Sequence, residues 1–518
     1  MTRRLLAPLV ALLVLWAGLA AAGARLIVLH SNDVHARFDP AAADGAECAE
    51  AEAAGCMGGA ARRMAAIGAE RKTARAAGVP LVLLDAGDRF QGSLFFTHYK
   101  GQLTARLMNA LGYDAMAVGN HEFDEGPDVL ARFAAALEFP LLMANARMPG
   151  APDLAARIAP ATMIERGGLR IGVVGLITPD TARGSRPGAG VRFSDPATAL
   201  RAQISALREK RADVVIALTH LGLRADRALA HAVPGVDVIV GGHSHTALGT
   251  DDAPPYPLMV NGVAVVQAGA YGRHLGRLSL EFGPDGGLSV ARGGLLPLTP
   301  KHSADQEIAA MIRQAAKPLA GLRGDAVADL PQRIGGATDR RCRRAECAIG
   351  NLVADAMLAH PFADGAEVAL MNGGGLRADL GSGSVSRADL TRVLPFSNRL
   401  ARMRLTGAAL RAALEHALSR IGSGAFLQVA GLRLRHDPAA PPGARLRGVT
   451  VAGAPLEDGR LYTVVTNDFL RQGGDGYTML AGAVGVDDRG PKLVTVLAGY
   501  LRSGAVSAAV EGRIRKVK

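Results

Sequence analysis

From Arg25 to about Phe282 the chain repeats one pattern: a short apolar run rich in β-branched residues, then at once polar residues, with stretches rich in Ala, Leu and Arg between. Short apolar runs bounded by turn residues read as buried strands and the stretches between them as helices, which predicts an α/β domain. From Ser303 to about Leu319 the pattern becomes helical. Ile308, Met311, Ile312, Ala315 and Leu319 share one face, and Ser303 with Gln306 has the spacing of a capping box. This stretch is expected to connect two domains. Beyond about Pro331, Leu405, Ala409, Leu410, Ala413, Leu414, Ala417 and Leu418 mark an amphipathic helix, while Phe426 to Leu434 and Leu461 to Thr466 read as strands. The polar vocabulary shifts at the same place, since nine of the thirteen histidines lie at or before His274. The expected division is a leader at 1–24, a first domain at 25–300, a helical connection at 301–330 and a second domain at 331–518.

The leader follows from Arg3 and Arg4, the apolar stretch Leu5 to Leu19 and the small-x-small pattern Ala22-Gly23-Ala24. Its apolar core is short of the about 20 residues that span a bilayer, so export with cleavage near Arg25 is expected rather than anchoring. Cys48, Cys56, Cys342 and Cys347 fall into two sequence-local pairs. In an exported chain these suggest two disulfides closing small loops, although four cysteines permit other pairings. Net charge is +12, or +10 without Arg3 and Arg4, carried by scattered arginines. No basic run interleaved with aromatics is present, so a nucleic-acid polymer is not the expected partner. A positive field would instead gather phosphate-bearing small molecules.

Five apolar runs end in residues able to bind a metal: Asp33 and His35, Asp88, Asn120 and His121, His220, and His243 and His245. In an α/β sheet ligands bind beyond the carboxyl ends of the strands, so these tips are expected to converge on one crevice. Carboxylate, amide and imidazole together suit divalent first-row ions, and so many ligands imply two of them, zinc, manganese or cobalt. Two ions about 3.5–4 Å apart need a bridging ligand, for which Asp88, on its glycine-flanked turn, is the candidate. Taken singly, each residue reads as an ordinary loop residue. His30 reads as a core strand position, and His98, His231, His274, His302, His360, His416 and His436 have no partner motif.

In this order DVH, GD, GNHEFD, TH and GGHSH resemble the calcineurin-like metallophosphoesterase domain. The resemblance implies a four-layer αββα sandwich in which Asp33, His35, Asp88 and His245 hold one ion, and Asp88, Asn120, His220 and His243 the other. It also implies that His121 stands beside the ions, its ring fixed by Asp124, to stabilise charge on the phosphoryl and leaving oxygens.

The second domain contains CRRAEC with Arg343, NGGGLR with Asn372 and Arg377, and Phe426 and Phe469, the latter followed by GGDG with Asp475. Arginine grips phosphate bidentately, glycine turns admit anions to backbone amides, and aromatic faces stack on bases. Without context Phe426 and Phe469 read as core strand residues. EC followed by GN, NGGGLR, LPFSN, FLQVAG, NDFLRQGGDGY and EGRI are similar to the C-terminal α/β domain of the 5'-nucleotidase family. That likeness implies phosphate contacts from Arg343, Asn372 and Arg377, with Asn120 also close to substrate. It further implies base stacking by Phe426 and Phe469, a ribose contact from Asp475, and the pairings Cys48 with Cys56 and Cys342 with Cys347. In this family the second domain moves to carry substrate, which would make the Ser303 to Leu319 stretch a hinge region.

The chain ends at Lys518 without the apolar tail of lipid-anchored relatives, so a protein free in the periplasm or secreted is expected, as monomer or homodimer. The leading reading is a two-metal phosphohydrolase releasing phosphate from nucleoside 5'-monophosphates, with UDP-sugars or other nucleotide pyrophosphates as further substrates. The competing readings are a 2',3'-cyclic-nucleotide phosphodiesterase with 3'-nucleotidase activity, a thiosulfohydrolase of sulfur oxidation, and a nucleotide-binding protein without turnover. The aromatic pair and Asp475 argue against thiosulfate, and the complete ligand set argues against pure binding.

Overall fold

The structure, a computed structural model, describes residues 24–42, 48, 55–250, 253–321, 325–504 and 509–517. Of the leader reading, 1–24, residues 1–23 lie outside them. Among the described residues the first domain is built on two sheets. One runs in the order Leu288–Pro297, His274–Phe282, Arg25–Ser31, Leu81–Asp85, Ala115–Ala117, Leu141–Leu142, Ile158–Ala159. The other runs Leu258–Val260, Val263–Val266, Val238–Gly241, Val214–His220, Leu169–Ile177, Ala161–Arg166.

The sheets pack face to face, and strand alternation explains why the central strands, such as Leu81–Asp85 and Val214–His220, carry apolar residues on both faces. In Arg25–Ser31, Leu26 and Val28 point into the inter-sheet core with Val82, Leu84, Val214, Ile216 and Val240. Ile27 and Leu29 point the other way, against the helices Ala60–Ala76, Gln102–Leu111 and Pro127–Ala136. The helices Pro196–Glu209 and Leu223–Ala232 cover the outer face of the second sheet. The domain is thus layered helix, sheet, sheet, helix. Each buried Leu, Ile or Val contributes about 1.5–3 kcal/mol.

The helix expected between the domains spans Gln306–Ala316, followed by a 3-10 turn to Leu319. Its cap is Asp305, not Ser303: the Asp305 carboxylate accepts from the Ile308 amide at 2.9 Å. Ile308, Ile312, Ala315 and Leu319 are buried in the first domain's core, and the Tyr99 hydroxyl donates to the Ala315 carbonyl at 2.9 Å. The helix is packed into the first domain rather than free between the two.

The second domain has a five-stranded sheet, Leu427–Ala430, Val368–Asn372, Leu461–Asn467, Leu400–Thr406, Val484–Asp487. The helices Ala348–Ala359 and Leu493–Arg502 pack on one face of it and Gly407–Ser419 on the other. Leu405 belongs to a strand, and the helix expected there starts at Gly407 behind the capping hydroxyl of Thr406. The strand read from Phe426 to Leu434 is two strands, broken at Gly431. Gly431 has a φ of +76°, and a Cβ there would lie 1.9 Å from the Glu367 carbonyl oxygen, which only glycine avoids.

Both cysteine pairs are bonded, Cys48 to Cys56 and Cys342 to Cys347. No helix among the described residues is long and apolar enough to cross a membrane. The C-terminal strand Ile514–Lys516 pairs with Leu432–His436 and is tied down by Glu346, whose carboxylate accepts from the Asn351 side chain at 2.8 Å and from the amides of Glu511 at 2.6 Å and Ile514 at 3.2 Å. Burial opposes the charge on Glu346, but these donors outweigh it and hold the carboxyl below its usual 4.5. The stabilisation is therefore complete above that pH and is lost as pH falls through the lowered value. Glu346→Gln is expected to destabilise the protein by about 1–3 kcal/mol at neutral pH, with the gap to wild type in thermal melts narrowing in acid.

Candidate active site

Strands Arg25–Ser31, Leu81–Asp85 and Ala115–Ala117 are mutually parallel neighbours, as are Val214–His220 and Val238–Gly241 in the second sheet. Their carboxyl ends open at one edge of the sandwich, each into a sharp turn. Asp33, His35, Asp88, His243 and His245 all have positive φ, between 50° and 75°. Left-handed backbone is uncommon for residues other than glycine and costs on the order of 1–3 kcal/mol each. It turns the side chains back across the sheet ends into a common space.

Two groups result: Asp33, His35 and His245, and Asp88, His220 and His243, with the candidate ligand atoms in each within 4.8 Å of one another. Asp33 Oδ1 lies 3.2 Å from His245 Nε2, and His35 Nε2 lies 3.1 Å from the same nitrogen. Asp88 Oδ2 is 3.1 Å from His220 Nε2, and Asn120 Oδ1 is 2.9 Å from His243 Nδ1. The far nitrogens of two rings meet backbone carbonyls, His35 Nδ1 that of Phe90 at 3.1 Å and His220 Nδ1 that of Ala86 at 2.7 Å. Donating there leaves each Nε2 with its lone pair facing the crevice. His220 Nε2 is buried without a hydrogen-bond partner. Lone pairs directed at one another and at carboxylates require a cation between them, so the donor set fits divalent metal ions.

Beside these groups the His121 amide donates to Asp88 Oδ1 at 2.9 Å, and His121 Nδ1 meets Asp124 Oδ2 at 2.7 Å. Burial disfavours the charged imidazole, but Asp124 and Asp88 outweigh it and raise its pKa above 6.5. His121 Nε2 remains free of Asp124 and stands 3.9 Å from Asp88 Oδ2.

Glu122 was not singled out by sequence reasoning. Fully buried, its Oε2 accepts from the amides of Asp88 at 3.0 Å and Gly119 at 2.7 Å, and its Oε1 from those of Arg89 at 2.7 Å and Phe90 at 3.0 Å. One carboxylate thus ties the Asp88 turn to the Asn120 turn. Burial and the Asp88 charge push it up to about 7 against the pull of these donors. The turns press together so closely that a Cβ on Gly119 would stand 2.3 Å from Asp88 Oδ1. The available signal was the acid inside GNHE, hidden between two residues with more obvious chemistry.

A cleft of about 700 Å³ opens from Asn120, His121 and Asp124 towards the second domain. Arg343, Asn372, Arg377, Phe469 and Asp475 line it. Asn372 Nδ2 donates to Asp475 Oδ2 at 2.8 Å, and burial raises the Asp475 carboxyl. Burial, together with the neighbouring Arg377 and Arg340, pushes Arg343 down to about 9. Crowded cations of this kind are relieved by an anion. Phe426 does not reach the cleft. It is 1 % exposed in the core beside Leu427 and Val429, and only its carbonyl, which accepts from the Gly373 amide at 2.7 Å, touches the glycine turn. Of the two aromatics expected to stack on a base, Phe469 lines the cleft and Phe426 does not.

His416 and Arg420 line the same cleft, and His416 Nε2 is 2.9 Å from the Asp475 carbonyl. Four residues apart on Gly407–Ser419 and just beyond it, they share one face, a spacing visible in the sequence but without a motif. A second cavity, about 570 Å³, extends from Asp88, His243 and His245 past Tyr271, Arg273, His274 and Arg340, and Arg343 and Arg377 line both cavities.

Residues 26–247 match the family described as calcineurin-like phosphoesterase, and residues 326–482 match the 5'-nucleotidase C-terminal domain. The chain is 36 % identical to the 5'-nucleotidase of Diplobatis ommata, over 95 % of this chain and 90 % of that one. It is 35 % identical to the 5'-nucleotidase of Rattus norvegicus, over 99 % and 93 %. The crystal structure of a 5'-nucleotidase precursor from Thermus thermophilus superposes with a TM-score of 0.87 at 37 % identity, covering 95 % of this chain and 99 % of that one.

Replacing Glu122 by Gln would turn an amide N–H₂ towards two of the four backbone donors. Affinity for manganese or zinc, measured by calorimetric titration of the metal-free protein, is expected to fall about 10- to 100-fold. Unchanged affinity would mean that the two turns hold their shape without this carboxylate.

Proposed function

The chain belongs to the 5'-nucleotidase family, and we propose that within it this protein is an exported enzyme hydrolysing nucleoside 5'-monophosphates to nucleoside and inorganic phosphate. Membership makes it a metal-dependent phosphoric ester hydrolase. The observation that carries the finer reading is the continuity of one cleft from His121 and Asn120 to Arg343, Arg377, Phe469 and Asp475.

Asp33, His35, Asp88 and His245 would hold one divalent ion and Asp88, Asn120, His220 and His243 the other, with Asp88 common to both sets. Zinc, manganese and cobalt all suit these donors. When bound, such a pair polarises a phosphoryl group and activates water at neutral pH. Arg343 and Arg377 grip the phosphate oxygens, with Asn372 and Asn120 beside them. His121, held by Asp124, offers Nε2–H to the phosphoryl and leaving oxygens as charge develops there. At the far end Phe469 offers one aromatic face to the base, and Asp475 accepts from ribose hydroxyls.

The second cavity favours nucleotide pyrophosphates, UDP-sugars among them, as additional substrates. It begins at Asp88, His243 and His245 and is not lined by Phe469, so a substituent on the reacting phosphate other than the nucleoside has room there. The leader pattern and the disulfides support a periplasmic or secreted location.

Phosphate release from AMP, UDP-glucose, 2',3'-cyclic AMP and a nucleotide-free ester, with manganese, zinc or EDTA, tests this reading. AMP cleavage is expected, abolished by EDTA and lowered about 10²- to 10⁴-fold by His121→Ala. A preference for the cyclic ester would make the protein a cyclic-nucleotide phosphodiesterase. Nucleotide binding without turnover under any metal would leave a binding protein.

A further inference from the structure

His121 is held on three sides by its own domain. Asp124 fixes Nδ1 at 2.7 Å, the backbone amide is tied to Asp88 at 2.9 Å, and the His35 ring meets it edge-on, centroids 5.4 Å apart at 69°. The remaining face is covered from the second domain. The Phe396 ring lies over the imidazole with centroids 5.5 Å apart and planes inclined by 28°. Phe396 belongs to LPFSN, a motif the reaction described above leaves without a task.

The next two residues hold the ring where it is. Ser397 Oγ donates to Glu125 Oε1 at 2.8 Å, the oxygen that also pairs with Lys100 Nζ at 2.8 Å. Asn398 Oδ1 accepts from Arg186 Nη2 at 2.8 Å, and the same guanidinium bridges to Asp468 at 3.1 Å. Asp468 in turn accepts from the Arg399 amide at 2.9 Å. Three consecutive second-domain residues therefore dock on the first domain, Phe396 on His121, Ser397 on Glu125 and Asn398 on Arg186. The docking is polar at Ser397 and Asn398, where water could serve instead, but Phe396 can only exclude water.

We propose that Phe396 is a positioning residue for the reaction. By covering the open face of His121 when the domains are docked, it keeps water off the ring and holds Nε2 in one orientation towards the reacting phosphate. A free imidazole face would allow the ring to tilt about the single Asp124 contact, and a small misplacement of a catalytic group is costly in rate. Second-domain docking would in this way complete the catalytic side of the site as well as deliver substrate. The inference rests on the role given above to His121.

The test is steady-state kinetics on AMP with manganese for wild type, Phe396→Leu, Phe396→Met, Phe396→Tyr, His121→Ala and the Phe396→Leu/His121→Ala double variant. Thermal melts and solution scattering check folding and domain docking. The expected result is a kcat about tenfold lower for the Leu and Met variants, with KM within about threefold of wild type, scattering unchanged and Tyr restoring most of the rate. The double variant should be no slower than His121→Ala. Unchanged kcat in the Leu and Met variants would overturn the proposal, as would a loss confined to KM, which would place Phe396 against substrate. A loss that multiplies with that of His121→Ala would overturn it too. If wild type leaves AMP intact, the nucleotidase reading fails by itself, and the same comparison on 4-nitrophenyl phosphate decides the role of Phe396.

Discussion

Two carboxylates, Asp33 and Asp88, sit almost without exposure at the ends of parallel strands, and the rest of the site follows from the need to balance their charge. A buried unpaired carboxylate is severely destabilising. Imidazoles from the opposite sheet converge on both, His245 and His220 within 3.2 Å, and their lone pairs make the balance depend on cations. The left-handed turns at five of these positions are the conformational cost of bringing short side chains from two sheets into so small a space. The double-layered core behind them absorbs that cost through strands buried on both faces.

The supporting layer has the same logic at one remove. Behind Asp88, Asp85 receives Arg89 and the Ser31 hydroxyl, Tyr113 bonds to that same hydroxyl, and the Arg89 guanidinium lies over the Tyr113 ring. Beside it Glu122 gathers four backbone amides. Neither group points into the crevice, yet both determine where Asp88 stands.

The second domain carries the opposite charge into the cleft. Arg377 and Arg340 crowd Arg343, with Asp475 near to offset them, which suits a phosphate arriving between arginines and metals. The polar contacts between domains, Arg186 to Asp468 and Ser397 to Glu125, sit at the rim of that cleft. Closure, phosphate binding and the covering of His121 therefore occupy one surface.

The two candidate ligand groups and the His121–Asp124 contact were legible in the sequence because strand ends are local: an apolar run followed by Asp, Asn or His states both the strand and where its polar tip emerges. The two disulfides were legible for a similar reason, since each closes a loop short enough to read directly. What depends on direction across the chain was not. Whether Phe426 faces cleft or core is decided by its packing, just before the strand Leu427–Ala430, against Gly407–Ser419. Whether Ser303 or Asp305 caps its helix is decided by where that helix docks on the first core. Glu122, His416 and Phe396 meet residues 32, 59 and 275 positions away, and no periodicity records such distances. The sequence by itself determined the α/β class, the candidate ligand groups and the class of hydrolase, because each is carried by residue type and local order. Tertiary structure alone decided which side chains face the cleft and which domain covers His121, because those follow from packing between segments far apart in the chain.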